Sequence, residues 1–270
     1  MSNIFEFRDG LISDYSRFST SFANIAAPDI KEFVKKESDE GRFWPDPILQ
    51  LNANYLRDRD VNELSAPGGL LHPQTAKFFS IKRAGEPAIP FRLFKHQVFA
   101  IQQAQAKKSY VVTTGTGSGK SLTYFIPIVD SVLRARASGD ATKRTRAIIV
   151  YPMNALANSQ LEEVKKFTDN LSGNSVSVER YTGQEDKAQR AHIAANPPDI
   201  LLTNFQMLEY LLTRFGEDDK RVLANCTGLE YLVLDELHTY RGRQGADVAL
   251  LVRRVRSRLQ VIGDGLWGQP

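Results

Sequence analysis

Cysteine is almost absent from this chain. Cys226 stands alone, which excludes an internal disulfide and a cysteine-based metal cluster. Histidine is nearly as scarce, with four residues scattered without metal-ligand spacing. Long hydrophobic runs are missing too: no stretch nears the ~20 apolar residues that span a bilayer. The first residues, Met1 to Asp9, lack the anatomy of a secretory leader. A cytoplasmic protein with no membrane partner is therefore expected. No internal repeat or low-complexity tract is present. What remains is an ordinary globular balance, 42% hydrophobic and 24% charged over 270 residues, enough for one large domain or one domain with an appendage. A net charge of +4 is compatible with a polyanionic partner but does not demand one. The arginine-rich runs at 134–146 and 253–258 read equally well as solvated faces.

Glycine is concentrated where it matters. Tyr110 to Thr113 is an apolar, β-type run that leads into Thr114, Gly115, Thr116, Gly117, Ser118, Gly119, Lys120 and Ser121. A triphosphate needs many backbone N–H groups at close range, and side chains would block that approach. Gly115, Gly117 and Gly119 remove them and permit positive φ. Helical apolar spacing resumes at Leu122, so a helix N-terminus would face the phosphates. Lys120 is placed to reach the β- and γ-phosphates, and the Ser121 hydroxyl to ligate Mg²⁺. Thr114 departs from the strict phosphate-loop pattern, which wants Gly or Ala there.

A second apolar run, Tyr231 to Leu234, ends in Asp235 and Glu236. An uncharged run of this kind suits a central parallel strand. A lone acidic pair would ordinarily be a solvated strand end. Downstream of a phosphate loop it reads as chemistry: Asp235 for Mg²⁺, and Glu236 as general base for an attacking water. ATP and Mg²⁺ are the implied cofactors.

Asp235-Glu-Leu-His238 resembles the D-E-x-H box of superfamily 2 helicases, and further matches follow the family's order. Phe94-Lys-His-Gln97 resembles the Q motif, which implies that Gln97 reads adenine beside Phe94. Thr114 to Ser121 resembles motif I. Tyr151 to Gln160 fits motif Ia, and Thr182-Gly183 a small phosphate-contacting loop. Pro198 to Met207 resembles motif Ib. With Tyr151 to Leu156, the segment Asp235 to Gly242 is similar to bacterial DNA helicases of the Lhr and YprA type, including relatives in DNA repair and anti-phage defence. The resemblance covers roughly residues 90–260. It implies an ATP hydrolase with catalytic residues Lys120, Asp235, Glu236 and His238, the last linking the nucleotide site to motif III. It also implies DNA-backbone contacts by Pro152, Asn154, Ala155, Thr182, Gly183, Thr203 and Asn204.

Residues 1–88 carry no recognisable motif. Short helical patterns such as Asp29–Glu37 are broken by prolines and glycines, so a mostly helical, loop-rich accessory segment is expected. Its junction falls near Gly85–Pro90, and 89–270 forms the first RecA-like lobe. There, strands are expected near 109–113, 147–151, 176–181, 199–203 and 230–235. Helices are expected near 95–107, 120–136, 155–169, 185–195, 205–214 and 244–260. This βα alternation predicts an α/β fold, a mainly parallel sheet with helices on both faces and its ligands at the strands' carboxyl ends. The Ser/Thr-Ala-Thr motif and second lobe of the family are not in the sequence, so a front part of a larger helicase is expected. The missing C-terminal lobe and other defence or repair proteins are the implied partners besides DNA. A non-motor nucleotide-dependent interaction module and an RNA helicase are the alternative readings.

Overall fold

The computed structural model describes residues 3–22, 24–41, 55–81, 89–115, 117–168, 170–171 and 176–262. Two compact units divide the chain, Met1–Ala53 and Asn54–Pro270. In the first, helices Ile4–Ser21 and Pro28–Asp39 are linked by the hydroxyls of Ser16 and Ser38, 3.0 Å apart. Asn3 caps the first of these helices through Phe5 N, and Pro28 opens the second at a position where its missing N–H costs nothing.

The second unit is built on a four-stranded parallel sheet. Its strands are β1 (Ala147–Tyr151), β2 (Val178–Tyr181), β3 (Ile200–Asn204) and β4 (Tyr231–Leu234), in the order β2-β3-β1-β4. Pairing is in register from Ala147 opposite Ile200 to Tyr151 opposite Asn204, and from Ala147 opposite Tyr231 to Val150 opposite Leu234. Side chains alternate between the two faces of a strand. Ala147, Ile149 and Tyr151 accordingly join one buried cluster with Ile200 and Leu202, while Ile148 and Val150 join another with Leu201. The central strand β1 is apolar and buried throughout because both its faces are covered, whereas the edge strand β2, Val-Glu-Arg-Tyr, exposes Glu179.

The first face carries helices α1 (Lys95–Gln105), α2 (Leu122–Ala137) and α3 (Asn154–Thr168). The second carries α4 (Lys187–Ala195), α5 (Phe205–Thr213), α6 (Glu217–Ala224) and α7 (Arg243–Ile262). The helix Glu217–Ala224 was not expected from the sequence: its apolar face is short, and three acidic residues crowd its first turn. In α2, Ile126, Ile128, Val129, Val132 and Leu133 are all fully buried, at ~1.5–3 kcal/mol of hydrophobic stabilisation per large side chain. No described helix is long and apolar enough to cross a membrane.

Residues 55–81 belong to this second unit, so the division expected at residue 88 does not coincide with the compact units; most of Gly85–Pro90 lies outside the described residues. Val61, Leu64, Leu71, Phe78 and Phe79 bury into the cluster that also holds α2. Asp130 of α2, fully buried, anchors the segment. It accepts from His72 N at 2.5 Å, Thr75 Oγ1 at 3.0 Å, Gln105 Nε2 at 2.8 Å and Arg134 Nε at 2.7 Å. A carboxylate can be buried here because four donors replace its water.

One expected strand is not formed. Tyr110–Thr113 makes no ladder with any described strand. Val111 is 79% exposed. β-propensity needs a neighbouring strand to become structure, and here the run is an extended lead into the phosphate loop. Its Tyr110 hydroxyl donates to Thr123 O at 2.7 Å.

Candidate functional site

The phosphate loop sits between this extended lead and the first turn of α2. Gly117 and Gly119 have φ of +75° and +69°, which L side chains rarely adopt. Gly119 is required on a second count: a Cβ there would lie 2.6 Å from Gln97 Nε2. Thr114 Oγ1 and Ser118 Oγ, 2.6 Å apart, close the loop on itself. Thr116 lies outside the described residues. Lys120 and Ser121 lead directly into α2, whose positive dipole end faces the loop, while its first N–H groups, from Leu122 to Tyr124, already donate to the carbonyls of Gly119, Lys120 and Ser121.

The second half of the site comes from the tip of β4, 115 positions later in sequence. Asp235 continues the ladder through its N–H to Val150 O at 2.9 Å. Glu236 then turns the chain in a left-handed conformation, φ 48° and ψ 39°. For a non-glycine residue this costs ~1–3 kcal/mol and marks a constrained position. The turn brings Glu236 Oε1 to 3.7 Å from Lys120 Nζ, and Oε2 to 3.1 Å from His238 Nδ1. Both members of the lysine pair are about 30% exposed, so the contact is worth at most ~1 kcal/mol. A polyphosphate carrying several charges would displace Glu236 from Lys120 at little cost.

Asp235 is more enclosed. Its Oδ1 accepts from Glu236 N at 3.0 Å, and its Oδ2 from the Tyr124 hydroxyl at 3.2 Å. Burial, supported by the nearby Glu236 charge, raises its carboxyl above the usual range. A cation would be welcome beside it. Ser121 and Asp235 supply hard oxygen donors of the kind Mg²⁺ prefers, and Mg²⁺ ordinarily completes its shell with water and phosphate oxygens. Among the described residues, no group of three His, Cys, Asp or Glu could hold a metal by itself.

Gln97 has a different position from the one its motif implies. It is 2% exposed, with Nε2 donating to Gly119 O at 2.8 Å and Ser118 O at 3.4 Å. Its Oε1 accepts from Phe94 N at 2.8 Å. In this arrangement the amide supports the phosphate loop rather than presenting a free edge to adenine, because the start of α1 needs its acceptor and the loop carbonyls need its donor. His96 adds a ring-nitrogen contact to Ser118 O at 3.1 Å. Phe94 is half-buried. It stacks on His96 at 5.7 Å, meets Tyr55 at 5.5 Å and lies under the Arg57 guanidinium at 4.2 Å.

The residues implied for DNA contact gather at the carboxyl ends of β1, β2 and β3. Asn204 ties three loops together. Its Nδ2 donates to Asn154 Oδ1 at 2.6 Å and Thr182 O at 3.0 Å, and its Oδ1 caps α5 through Met207 N at 2.6 Å. Thr203 must be removed from the contact set. It is fully buried, and its hydroxyl donates to Tyr181 O at 2.7 Å. Thr182 is 5% exposed and committed as well: its N–H and hydroxyl reach Glu185 at 2.8 and 3.1 Å, and Gly183 N reaches the same carboxylate at 2.8 Å. Burial opposes the Glu185 charge, yet these amides and Arg180 hold its carboxyl below the usual range. Ala155 and Gly183 stay exposed, and Pro152, Asn154 and Asn204 half-buried.

Sequence reasoning overlooked Glu185, Tyr55, His96, Tyr124 and Tyr151. Two left a signal. Thr182-Gly-Gln-Glu185 has the spacing of a capping box, and Tyr124 follows Ser121 by three positions, which places both on one helix face.

Comparison with known proteins agrees with this geometry. The sequence model of the DEAD/DEAH box helicases matches residues 94–263. An uncharacterized ATP-dependent helicase of Methanocaldococcus jannaschii is 31% identical over 182 residues, 66% of this chain and 25% of the relative. The ATP-dependent helicase YprA of Bacillus subtilis is 34% identical over 164 residues, 61% of this chain and 20% of the relative. The crystal structure of the helicase MrfA bound to DNA and AMPPNP superposes with a TM-score of 0.60 at 26% identity, covering 79% of this chain and 26% of that one. The chain thus spans about a quarter or less of the length of these relatives. With the family match covering well over half of its residues, and a phosphate loop meeting an Asp-Glu-x-His turn at the sheet's carboxyl end, this chain belongs to the DEAD/DEAH box helicase family.

Proposed function

We propose that the chain is the ATP-binding front part of an ATP-dependent DNA helicase or translocase of the cytoplasm. The observation that carries this reading is the meeting of Lys120 with Glu236 at 3.7 Å, which joins the helix start that carries Ser121 to the strand tip that carries Asp235. Lys120 neutralises the β- and γ-phosphates, the loop amides from Gly117 to Lys120 cradle them, and Glu236 orients and deprotonates the attacking water. His238 keeps Glu236 aimed through its Nδ1 contact. Ser121 and Asp235 hold Mg²⁺, which supplies charge neutralisation of the phosphates when bound. Gln97 and His96 keep the loop open by holding the carbonyls of Ser118 and Gly119. A second lobe, as the resemblance implies, would complete the site.

DNA is favoured as the polymer because the solved relative MrfA is described with DNA and AMPPNP. The exposed tips at Ala155 and Gly183, with Pro152, Asn154 and Asn204 beside them, form the proposed backbone path. Such contacts position a strand without reading its sequence.

Calorimetric titration of Mg·ADP tests the nucleotide reading. Wild type should bind, and Lys120→Ala should lose binding while its thermal melt is unchanged. Equal affinity in the two proteins would overturn the assignment.

A further inference from the structure

Two buried tyrosines stand behind the candidate magnesium site, and the nucleotide chemistry described above does not use them. Tyr124, on the first turn of α2, is 7% exposed, and Tyr151, at the end of β1, is fully buried. The Tyr124 hydroxyl donates to Asp235 Oδ2 at 3.2 Å. Ser121, three positions earlier at the start of α2, shares its helix face with Tyr124. Tyr151 Oη is 3.4 Å from the Tyr124 hydroxyl. A phenol has one proton, and a carboxylate can only accept, so Tyr124 spends its proton on Asp235 and Tyr151 donates to Tyr124. The order is Tyr151 to Tyr124 to Asp235.

This arrangement holds the carboxylate that would hold the metal, from the helix turn that also carries Ser121. From it we infer that Tyr124, backed by Tyr151, is a positioning residue for the Mg²⁺ site, fixing the Asp235 carboxylate in the orientation that a hard cation demands. The inference rests on the nucleotide-site reading given above. Mg²⁺ tolerates little departure from octahedral geometry, so the rotation of Asp235 about its side-chain bonds matters. Glu236 N holds Oδ1 and Tyr124 holds Oδ2, and each oxygen keeps a lone pair for the metal or its water.

Packing alone does not require either hydroxyl. Phe125 follows Tyr124 in the same helix and is 4% exposed, with its ring 4.9 Å from that of Tyr124. A phenyl ring would fill the same space, but it would leave Asp235 Oδ2 and the Tyr151 hydroxyl without their Tyr124 partner, which a purely apolar packing site would never have required. A buried tyrosine also commonly satisfies its hydroxyl on a backbone carbonyl, as Tyr110 does here on Thr123 O. Tyr124 instead addresses the carboxylate at the heart of the site. Groups that orient a metal ligand in this way typically control metal affinity by ~10–100-fold.

The test is calorimetric titration of ADP into this chain with and without Mg²⁺. Tyr124→Phe should leave the Mg²⁺-free ADP affinity unchanged and reduce the gain in affinity that Mg²⁺ confers by about 10-fold. Tyr151→Phe should reduce it in the same direction by less, since it acts through Tyr124. A merely structural role would change both affinities together, or neither. An undiminished Mg²⁺ gain in Tyr124→Phe, or an equal loss with and without Mg²⁺, overturns the proposal while leaving the nucleotide reading intact. Absence of Lys120-dependent ADP binding in wild type overturns the nucleotide reading and the proposal with it.

Discussion

The nucleotide end and the proposed DNA-contacting tips lie along the carboxyl edge of one sheet, yet they treat their polar groups in opposite ways. In the phosphate loop, glycines with positive φ expose backbone N–H groups, and internal support comes from behind, through Gln97 and His96. At the tips of β2 and β3 the donors are already used. Glu185 takes the N–H groups of Thr182 and Gly183, Tyr181 O takes the Thr203 hydroxyl, and Asn204 spends both ends of its amide. In one region side chains hold the loop carbonyls from behind; in the other a carboxylate takes the loop N–H groups. Motif spacing marks both regions alike, so it finds functional neighbourhoods without telling which atoms in them are free.

The largest effect that would sharpen this comparison is chemical. In a longer protein that includes the second lobe, Glu236→Gln should retain ATP binding and lower turnover by ~10²–10⁴, the usual contribution of general acid–base catalysis. Steady-state turnover beside equilibrium ATP binding measures it, and full activity in the variant would remove Glu236 from the mechanism. At the tips of β2 and β3 the expected effect is on stability. Glu185→Gln keeps the shape but removes the charge from four charge-assisted contacts, and should cost ~1.5–3 kcal/mol in denaturant unfolding. Its pH dependence has a definite sign. The folded-state carboxyl is held below its ordinary value of 4.5, so its stabilisation is present above the unfolded value and lost as pH falls through the folded one. Wild type should therefore lose stability on acidification through that window more steeply than Glu185→Gln; identical acid limbs would contradict the assignment. The smallest effect belongs to Thr203→Val, which should cost ~1 kcal/mol for one lost hydrogen bond and leave single-stranded DNA affinity unchanged. Ala155→Glu, at an exposed tip, should weaken that affinity at low salt by placing a negative charge against the phosphates. A reversed pattern, with Thr203 mattering and Ala155 silent, would break the comparison outright.

Much of the fold was legible. The apolar runs at 147–151, 200–202 and 231–234 are pure enough to mark strands of the sheet, and Leu122 to Ala137 carries a helix with ten buried residues. Less legible was Tyr110–Thr113, whose β-type residues form no ladder among the described residues, because pairing is a property of the neighbour and not of the run. Residues 55–81 gave no motif, since Asp130, the residue that anchors them, reads in sequence as one polar position in an apolar helix.

By itself, then, the sequence determined the chemistry that is local: glycines at 117 and 119 that admit left-handed backbone, a lysine and a hydroxyl at a helix start, and a carboxylate pair at a strand tip. These are written in adjacent residues, and short-range sterics and hydrogen bonding decide them. Tertiary structure alone decided what needs distant residues to meet. It set Lys120 against Glu236, turned Gln97 inward to the loop, placed Tyr124 and Tyr151 behind Asp235, and closed Thr182 and Gly183 with Glu185. Whether a donor faces a ligand or a neighbouring side chain depends on which elements pack beside it, and that is settled only when the two faces of the sheet are buried.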